Sequence, residues 1–303
     1  MGSPNKGGNI PVLDFSSASP ASLSEELFAA LRQTGFVYVK HCGITPEEVN
    51  CVKDVFTKFF ALSDESKSGF TRKEGENHGW VPMLRESLDP SKPGDLKESF
   101  NITSIYSKGF PNDEIPGFQE TVHNFMEKCQ FLAFQVLKCF AYKLGIPDDF
   151  FVGCHHLSSR ENQTALRCLH YPALSEDVII EAGQLRCGKH SDWGSITLLF
   201  QDSVGGLQVL KGDNQWVDAT PVEDAILINI GDMMQRWFNK EIKSTLHRVV
   251  VGTDARTRAR ISMAYFVMPD DHFPVRSLKA IDSAPPVTMS EYIRHKIATT
   301  GHY

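Results

Sequence analysis

The side chains best suited to chemistry are His190 and Asp192, two positions apart in "CGKHSDWGSITLLFQ", residues 187–201. At the start of a strand, side chains two positions apart point to the same side. "TLHRVVV" supplies a third candidate, His247, on a later strand. Two histidines and a carboxylate on one face of an octahedral metal leave three positions open, as in non-heme Fe(II) sites. Taken alone, a His-x-Asp pair is more often a polar turn, so the hypothesis depends on further residues.

Arg260 and Ser262, in "RISMAYFV", add an anion-binding feature. We expect their strand to pair with the His247 strand in a hairpin turned at "GTDART", which would bring both side chains to the metal cavity. A guanidinium beside a hydroxyl suits a carboxylate bound through two hydrogen bonds. The sequence therefore predicts a small acid that chelates the metal and is anchored by Arg260. "NIGD", residues 229–232, is interpreted as a tight turn near the site, although an ordinary β-turn explains it equally well.

The first half of the chain and its end carry helical patterns. Leu23, Leu27 and Leu31 share one face of a helix over 22–33. A capping box at 45–48, with proline at the first helical position, opens a second helix. A longer helix begins at Phe118 and ends before Gly145. Thr288 begins another capping box, which opens a C-terminal helix.

After residue 160 the pattern changes to short strands. They are predicted at 166–171, 195–201, 206–211, 225–230, 246–251 and 260–267. Short strands separated by turns favour an antiparallel sandwich or barrel. The predicted fold class is mainly β with flanking helices: a double-stranded β-helix (jelly-roll) core, N-terminal helical support and a C-terminal helix.

The division of the chain is predicted from the same shift in pattern. We expect residues 1–9 to form a flexible tail and residues 10–303 to form one unit. Within that unit, 10–160 is the helix-rich region, 161–280 the jelly-roll core and 281–303 the C-terminal helix.

The composition of the chain limits the cellular location and the binding partners that we expect for the protein. The 303 residues are 41% hydrophobic and 22% charged, as in a soluble globular protein, and no apolar stretch is long enough to span a membrane. A net charge of −6 without a Lys/Arg cluster makes nucleic acid and anionic membranes poor partners, and no obligate protein partner is indicated. Seven cysteines without C-x-x-C spacing, and a polar N-terminus, predict reduced thiols and a cytoplasmic location.

Three segments together resemble the core of the Fe(II)/2-oxoglutarate-dependent dioxygenases of the isopenicillin N synthase-like family: "HSDWGSITLLFQDSVGGLQV", "ILINIGDMMQRWFNKEIKSTLHRVV" and "RISMAYFVMP". The resemblance spans nearly the whole chain, because "IPVLDFS", "TGFVYVKHCGI", "GDLKESFNI" and "LRCLHYP" are similar to the family's N-terminal blocks in the same order.

The resemblance implies specific roles. His190, Asp192 and His247 would ligate Fe(II). Arg260 and Ser262 would bind the distal carboxylate of 2-oxoglutarate with help from the Tyr171 hydroxyl, and Asn229 is placed in the same cosubstrate-binding set. The implied reaction uses O₂ to hydroxylate, desaturate or cyclise a small organic molecule, and it releases succinate and CO₂.

The sequence also departs from the family pattern. Leu169 stands where many plant members have asparagine, which would remove one polar contact to the cosubstrate. Trp193 stands where tyrosine or phenylalanine is more usual, and it would narrow the substrate pocket. The candidate pocket residues are His78, Trp80, Arg85, Phe100, Arg167, Trp193, Phe266 and Met268. An arginine among them would favour an acidic substrate.

Three alternatives remain open from the sequence. An oxidase on the same scaffold could work without 2-oxoglutarate, since some family members do so while keeping the Arg-x-Ser pair. A zinc hydrolase could use the same three ligands, but it would leave Arg260 and Ser262 unexplained. A non-catalytic small-molecule-binding protein would have no need of a complete set of metal ligands.

Overall fold

The computed structural model describes residues 10–16, 19–86, 94–103, 108–174, 184–212, 214–251, 257–278 and 285–300. The expected tail at 1–9 and most of the expected turn at 252–257 lie outside these ranges. Helices and strands are numbered in chain order. The helices are α1 (Pro20–Thr34), α2 (Pro46–Phe60), α3 (Asp64–Ser68), α4 (Phe118–Leu144), α5 (Asp232–Trp237) and α6 (Met289–Thr300).

The helix ends follow from local chemistry. Thr45 accepts a hydrogen bond from the backbone of Glu48, whose side chain in turn accepts one from the Thr45 backbone, so the predicted capping box opens α2. Gly145 adopts a left-handed conformation, with φ of 66°, and ends α4 where the sequence predicts. The helices predicted at 22–33 and after Thr288 are confirmed as α1 and α6, and α3 and α5 carry no pattern long enough to predict them.

The chain forms twelve strands within the described ranges. They are β1 (Val12–Asp14), β2 (Phe36–Lys40), β3 (Gly79–Val81), β4 (Glu98–Thr103), β5 (Ala165–Tyr171), β6 (Cys187–His190), β7 (Ile196–Gln201), β8 (Leu207–Leu210), β9 (Trp216–Asp218), β10 (Ile226–Ile230), β11 (His247–Val249) and β12 (Arg260–Val267). All six strands predicted after residue 160 are present. The first four strands, together with β6 and β9, are additional.

Two sheets form the jelly roll. The larger has the order β1-β2-β10-β7-β12-β5-β4-β3, and the smaller has the order β6-β11-β8-β9. All neighbouring pairs are antiparallel except β1 with β2. The predicted mainly-β fold with a double-stranded β-helix core and flanking helices is confirmed.

The period of two along each strand divides the core into two layers. On β2, Val37 and Val39 pack in the large cluster with the apolar faces of α1, α2 and α4. The alternate residues Phe36 and Tyr38 pack in a second cluster that contains residues of both sheets, and this cluster fills the space between them. Within the described ranges, none of the helices combines the length and apolarity that a bilayer span needs.

The expected hairpin between the His247 and Arg260 strands is wrong. β11 pairs with β6 and β8 in the small sheet, whereas β12 pairs with β5 and β7 in the large one. Successive strands of a jelly roll can cross from one sheet to the other, so closeness in sequence does not imply pairing. The ligand pair lies at a similar crossing, because His190 ends β6 in the small sheet and β7 belongs to the large one.

The segment Asn229–Asp232 is a strand-to-helix junction, and the interpretation as a tight turn is wrong. Asn229 and Ile230 complete β10, and the extended Gly231 precedes the first residue of α5. A Cβ on Gly231 would overlap the Gly194 carbonyl oxygen, so the close approach of these two segments requires glycine.

Candidate metal centre and active site

Three possible ligand atoms converge where β6 and β11 meet. His190 and His247 are register partners across this strand pair, with ring centres 4.2 Å apart. The Nε2 atoms of His190 and His247 lie 3.8 and 3.6 Å from Asp192 Oδ1. One ligand atom from each residue lies within 4.8 Å of the other two. The structure therefore brings together the three residues that the sequence singles out as a metal set.

The histidine tautomers are fixed by the backbone. His190 Nδ1 lies 2.8 Å from the Gly188 carbonyl oxygen, and His247 Nδ1 lies 3.1 Å from the Thr245 carbonyl oxygen. A carbonyl oxygen can only accept, so each neutral ring carries its proton on Nδ1. The Nε2 lone pairs are then left for a metal, as expected for histidine ligands with fixed outer contacts.

The Asp192 carboxylate is oriented in a similar way. Its Oδ2 accepts hydrogen bonds from Thr197 Oγ1 at 2.5 Å and from Asn229 Nδ2 at 2.7 Å. These two donors are register partners on β7 and β10, so the large sheet places them side by side. The other oxygen, Oδ1, faces the histidines. Asn229, expected in the cosubstrate-binding set, contacts the candidate metal ligand Asp192.

The protonation states suit a divalent cation. Burial, together with the neighbouring His247, lowers the pKa of His190 to about 3, so this ring is neutral at physiological pH. Burial alone would raise the pKa of Asp192, but the two histidines and the hydrogen bonds from Asn229 and Thr197 outweigh it and lower that pKa. One carboxylate oxygen and two imidazole nitrogens are a donor set that first-row transition metals accept.

The loop that carries Asp192 is held by backbone contacts on both sides. Asp232 N donates to the Asp192 carbonyl at 2.8 Å, and Ser195 N donates to the Val267 carbonyl at 2.8 Å. A Cβ on Gly194 would overlap the Val267 carbonyl oxygen, so only glycine lets the loop pack against the end of β12.

The C-terminal helix reaches the same loop through side chains. Ser191, between the two ligands, donates to Asp232 Oδ2 at 3.2 Å. The same oxygen accepts from the Tyr292 hydroxyl at 2.6 Å and lies 3.4 Å from Lys296 Nζ. Helix α6 is thereby tied to the metal-ligand loop.

Arg260, Ser262 and Tyr171 form a buried group at the adjoining ends of β12 and β5. Arg260 Nη1 donates to Ser262 Oγ at 3.0 Å, and the guanidinium carbon lies 4.8 Å from the Tyr171 ring centre. Arg260 Nη2 reaches Gln201 Oε1 at 3.4 Å. Burial raises the pKa of the Tyr171 hydroxyl, which stays protonated and able to donate.

A second arginine lies beside this group, and sequence reasoning missed it. The Arg186 guanidinium carbon is 5.8 Å from the same Tyr171 ring, and the side chain is buried. Burial and the charge of Arg260 lower its pKa. No local signal marks Arg186, because a single arginine directly before a strand is ordinary. Two buried guanidinium groups around one tyrosine make a site for an anion.

The anion site and the metal set share the space between the sheets. Tyr171 belongs to the core cluster between the sheets, and so does Phe36, whose ring packs edge-on against His247 at 5.5 Å. The Arg260 group and the candidate metal ligands therefore border the same compartment.

A cavity of about 150 Å³ lies beside the metal set, with His190 and Asp192 in its wall. Four predicted pocket residues line it: Arg167, Trp193, Phe266 and Met268. Leu169 also lines it, as an apolar group. Sequence reasoning missed six polar residues of the wall, namely Asn77, Glu86, Lys97, Asn101, Gln163 and Ser191.

The other four predicted pocket residues lie outside this wall. Trp80 Nε1 donates to Glu98 Oε2, and Phe100 packs in the helix-facing core. The alternation along β4 explains this placement, since Phe100 faces the helices whereas the next residue, Asn101, faces the cavity. His78 packs edge-on against Phe100 with ring centres 6.0 Å apart, and Arg85 is exposed.

Comparisons with known proteins agree with this geometry. Residues 162–269 match the family model of the 2OG-Fe(II) oxygenase superfamily, and residues 10–125 match that of the non-haem dioxygenase N-terminal region in morphine synthesis. A UPF0676 protein of Schizosaccharomyces pombe is 34% identical, over 97% of this chain and 93% of its own. Proline hydroxylase buaE of Petromyces alliaceus is 33% identical, over 88% of this chain and 89% of its own.

Comparison with solved structures identifies proteins of the same kind. A full-length protein of Neurospora crassa, crystallised in complex with alpha-KG, has a TM-score of 0.84 and 33% identity, and the match covers 96% of each chain. The chain belongs to the 2OG-Fe(II) oxygenase superfamily.

Membership in this superfamily decides among the functional classes that the sequence leaves open. The protein is an Fe(II)- and 2-oxoglutarate-dependent dioxygenase that oxidises a small molecule with O₂. The zinc hydrolase and the non-catalytic binding protein belong to other classes. The 2-oxoglutarate dependence of named relatives, such as ecdK of Aspergillus rugulosus, favours this enzyme over an oxidase without that cosubstrate.

Proposed function

We propose that His190, Asp192 and His247 hold the Fe(II) of this dioxygenase. The observation that carries the proposal is the convergence of two Nε2 atoms and Asp192 Oδ1 between the sheets. Both histidine tautomers and the orientation of the carboxylate suit metal ligation before any ion binds. Asn229 and Thr197 then act as positioning residues, because they occupy the carboxylate oxygen that faces away from the histidines.

Arg260 and Ser262 bind the distal carboxylate of 2-oxoglutarate in this proposal, and the Tyr171 hydroxyl helps. In the described part of the chain, Arg260 Nε and Gln201 Nε2 are buried without a hydrogen-bond partner. Buried donors of this kind are costly unless a ligand satisfies them. Arg186 adds positive charge to the same site.

The chain itself provides binding, orientation and exclusion of water. Bound Fe(II), with 2-oxoglutarate and O₂, supplies the oxidising power, and the cosubstrate leaves as succinate and CO₂. No side chain is required as a general acid or base. The wall of the cavity holds the reacting C–H bond of the substrate next to the metal ligands His190 and Asp192.

The substrate is a small organic molecule that is hydroxylated, desaturated or cyclised. The volume of the cavity beside the ligands supports this size class. Relatives support it too, since a second crystal structure of the Neurospora crassa protein contains thymine and one relative is named a proline hydroxylase. Nucleic acid, membranes and obligate protein partners remain outside the proposed function.

Two further assignments complete the proposal. Residues 10–303 act as one catalytic unit, which is supported by the shared sheet that joins β1–β4 to the strands of the jelly roll. The protein works in the cytoplasm, where reducing conditions keep thiols free, and all seven cysteines are free here.

Anaerobic addition of Fe(II) and 2-oxoglutarate tests the proposal. The purified protein should develop a visible metal-to-ligand charge-transfer band, and admission of air should release succinate. His247→Ala should abolish the band, whereas His295→Ala, on the C-terminal helix, should leave it intact. Metal-loaded protein that shows neither band nor succinate would contradict the proposal.

A further inference from the structure

A second cavity, of about 360 Å³, lies where the segment before β11 meets the ends of α1 and β8. Three lysines line it, Lys211, Lys240 and Lys243, and no acidic residue of the described ranges does. None of the three forms an ion pair with a described residue. We call this space the lysine cavity. The chain as a whole carries a net charge of −6, so three cations around one cavity make a local positive field that attracts anions.

Side-chain amides add uncharged donors to the same wall. Gln235 is the best defined of them, because its Oε1 accepts from Ser244 N at 2.9 Å. A backbone N–H can only donate, so the amide oxygen faces it and Nε2 has no partner among the described residues. Of the acidic neighbours in sequence, Glu241 is exposed and outside the wall, and Asp213 lies outside the described ranges. The described wall therefore presents donors to an oxyanion without a carboxylate that would repel it.

The backbone at Lys240 is in an uncommon conformation for a lysine. Its φ is 65°, in the left-handed region, and the preceding Asn239 has a φ of 49°. Asparagine tolerates this region, whereas a long side chain there costs local stability that glycine would not. Unfavourable backbone conformations of this kind are concentrated at functional sites. A lysine that contacts a ligand would account for this cost.

The wall segment 243–246 is held in place before any ligand binds. Thr245 Oγ1 donates to the Thr34 carbonyl at 2.8 Å. A Cβ on Gly35 would overlap the Lys243 carbonyl oxygen, so the end of α1 packs closely against this segment. A preformed wall lowers the entropic cost of binding a ligand.

The same segment contacts two of the three candidate metal ligands. Ser244 Oγ donates to the Asp192 carbonyl at 3.4 Å, and the Thr245 carbonyl lies 3.1 Å from His247 Nδ1. Val209, also in the wall, is the register partner of His247. A ligand that restrains this segment therefore also restrains the backbone contacts of Asp192 and His247.

We propose that the lysine cavity binds a small oxyanion with two or more negative charges and that the bound anion stabilises the metal set. Lysine acts as a compact point charge and does not require a planar partner, so a phosphate ester and a polycarboxylate share the chemistry that this wall recognises. The effect on the metal rests on the proposed function, whereas binding of the anion does not.

Calorimetric titration of the anaerobic Fe(II) enzyme, saturated with 2-oxoglutarate, tests the binding. Saturation fills the Arg260 site, so the probes cannot bind there. The probes are glycerol 2-phosphate, propane-1,2,3-tricarboxylate and the monovalent acetate, at constant ionic strength. At least one multivalent probe should bind with a Kd below about 1 mM, since several charge-assisted hydrogen bonds contribute, and acetate about tenfold or more weakly. The tighter multivalent probe distinguishes a phosphate ester from a polycarboxylate.

Two matched double variants locate the site. Lys240→Gly with Lys243→Gln removes two charges from the wall, and glycine suits the left-handed backbone at 240, so the fold is retained. This variant should weaken binding of the multivalent probe about tenfold or more. The control is Lys58→Gln with Lys138→Gln, which removes the same charge from exposed positions on α2 and α4 and should bind as the parent does.

Loss of iron to a chelator tests the effect on the metal set. In the parent, the charge-transfer band should decay about fivefold more slowly when the multivalent probe is bound, a coupling of ordinary size between two sites. In the Lys240→Gly/Lys243→Gln variant, the same probe concentration should leave the decay nearly unchanged.

Three results would overturn the proposal: multivalent probes that bind no more tightly than acetate, a Lys240→Gly/Lys243→Gln enzyme that binds them as the parent does, or iron loss at the same rate with and without bound probe. Each is read in protein that shows the charge-transfer band at the start. Absence of that band would instead count against the proposed function, so the two failures are distinguishable.

Discussion

Strands β4 and β5 carry buried polar side chains on both faces, and the two faces differ in how completely these groups are satisfied. On the helix side, Glu98 Oε2 accepts from Lys67 Nζ at 2.9 Å and from Trp80 Nε1 at 2.8 Å, and Oε1 lies 2.8 Å from His170 Nδ1. On the cavity side, Asn101 keeps an oxygen without a partner among the described residues.

The same contrast applies to the anion site between the sheets. Arg260 Nε and Gln201 Nε2 are buried and have no hydrogen-bond partner among the described residues. A network whose atoms are all paired stabilises the fold, whereas a buried atom without a partner costs free energy until a ligand pairs with it. On β4 and β5 the fully paired Glu98 thus faces the helices, and the unpartnered Asn101 oxygen lies on the other face; the unpartnered atoms of the anion site lie on β12 and β7.

The largest expected effect is on stability, at the helix-facing side of β4 and β5, where both Glu98 oxygens have partners. Glu98→Gln removes the charge that Lys67 and His170 face in a buried site, and it should lower the free energy of unfolding by about 3–5 kcal/mol. Urea denaturation measures this change. Glu25→Gln, which breaks an exposed pair with Lys143, is the control and should have little effect. Asn101→Leu should leave the free energy of unfolding unchanged or increase it. If Asn101→Leu lowered it as much as Glu98→Gln does, the two faces of the strands would not differ as described.

Arg260→Ala comes next, because it removes a charge from the anion site. It should raise the 2-oxoglutarate Kd about 30-fold or more, while bound iron remains. Titration of the charge-transfer band and metal analysis report the two effects separately. Arg258→Ala changes an exposed arginine two positions away and should behave as the parent does. Loss of iron from Arg260→Ala would contradict the role assigned to this side chain.

Asn229→Ala should have an intermediate effect on the metal. It leaves Asp192 with one hydrogen bond on Oδ2 instead of two, so iron affinity should fall about 10–100-fold, as is typical when a partner of a metal ligand is removed. Competition with a chelator gives the affinity. The matched control is Asn239→Ala, at an exposed position after α5. Unchanged iron affinity together with weaker 2-oxoglutarate binding would instead assign Asn229 to the cosubstrate.

Tyr292→Phe should have the smallest effect. It removes one hydrogen bond to Asp232, worth about 1 kcal/mol, and should loosen the attachment of α6 to the loop at Ser191. Hydrogen exchange of the amides in α6 should increase, and iron should dissociate a little faster. Tyr142→Phe, at an exposed position, serves as the control. If the amides of α6 exchange at the same rate as in the parent, the hydrogen bond between Tyr292 and Asp232 does not hold the helix in place.

Much of the site could be predicted from the sequence because its signals are local. His190 and Asp192 are two positions apart, and so are Arg260 and Ser262, so strand geometry alone gives each pair a common direction. The missed residues of the wall had no such signal. Asn77 and Glu86 lie in loops. Asn101 joins the cavity wall only because β4 pairs with β5, which places it opposite Arg167.

The sequence by itself determined the helices with clear caps and the six strands after residue 160, and it singled out the three side chains proposed to hold the metal. The helices, the strands and the His190–Asp192 pair depend on periodicity or on positions within a few residues, whereas His247 lies on a later strand and joins the set through the family resemblance. Tertiary structure alone decided which strands share a sheet, so the expected pairing of the His247 and Arg260 strands was wrong although both strands were predicted. Pairing depends on contacts between distant segments, and the same apolar pattern suits either sheet. For that reason the polar wall of the cavity, drawn from loops and strands far apart in the sequence, could be read only from the folded chain.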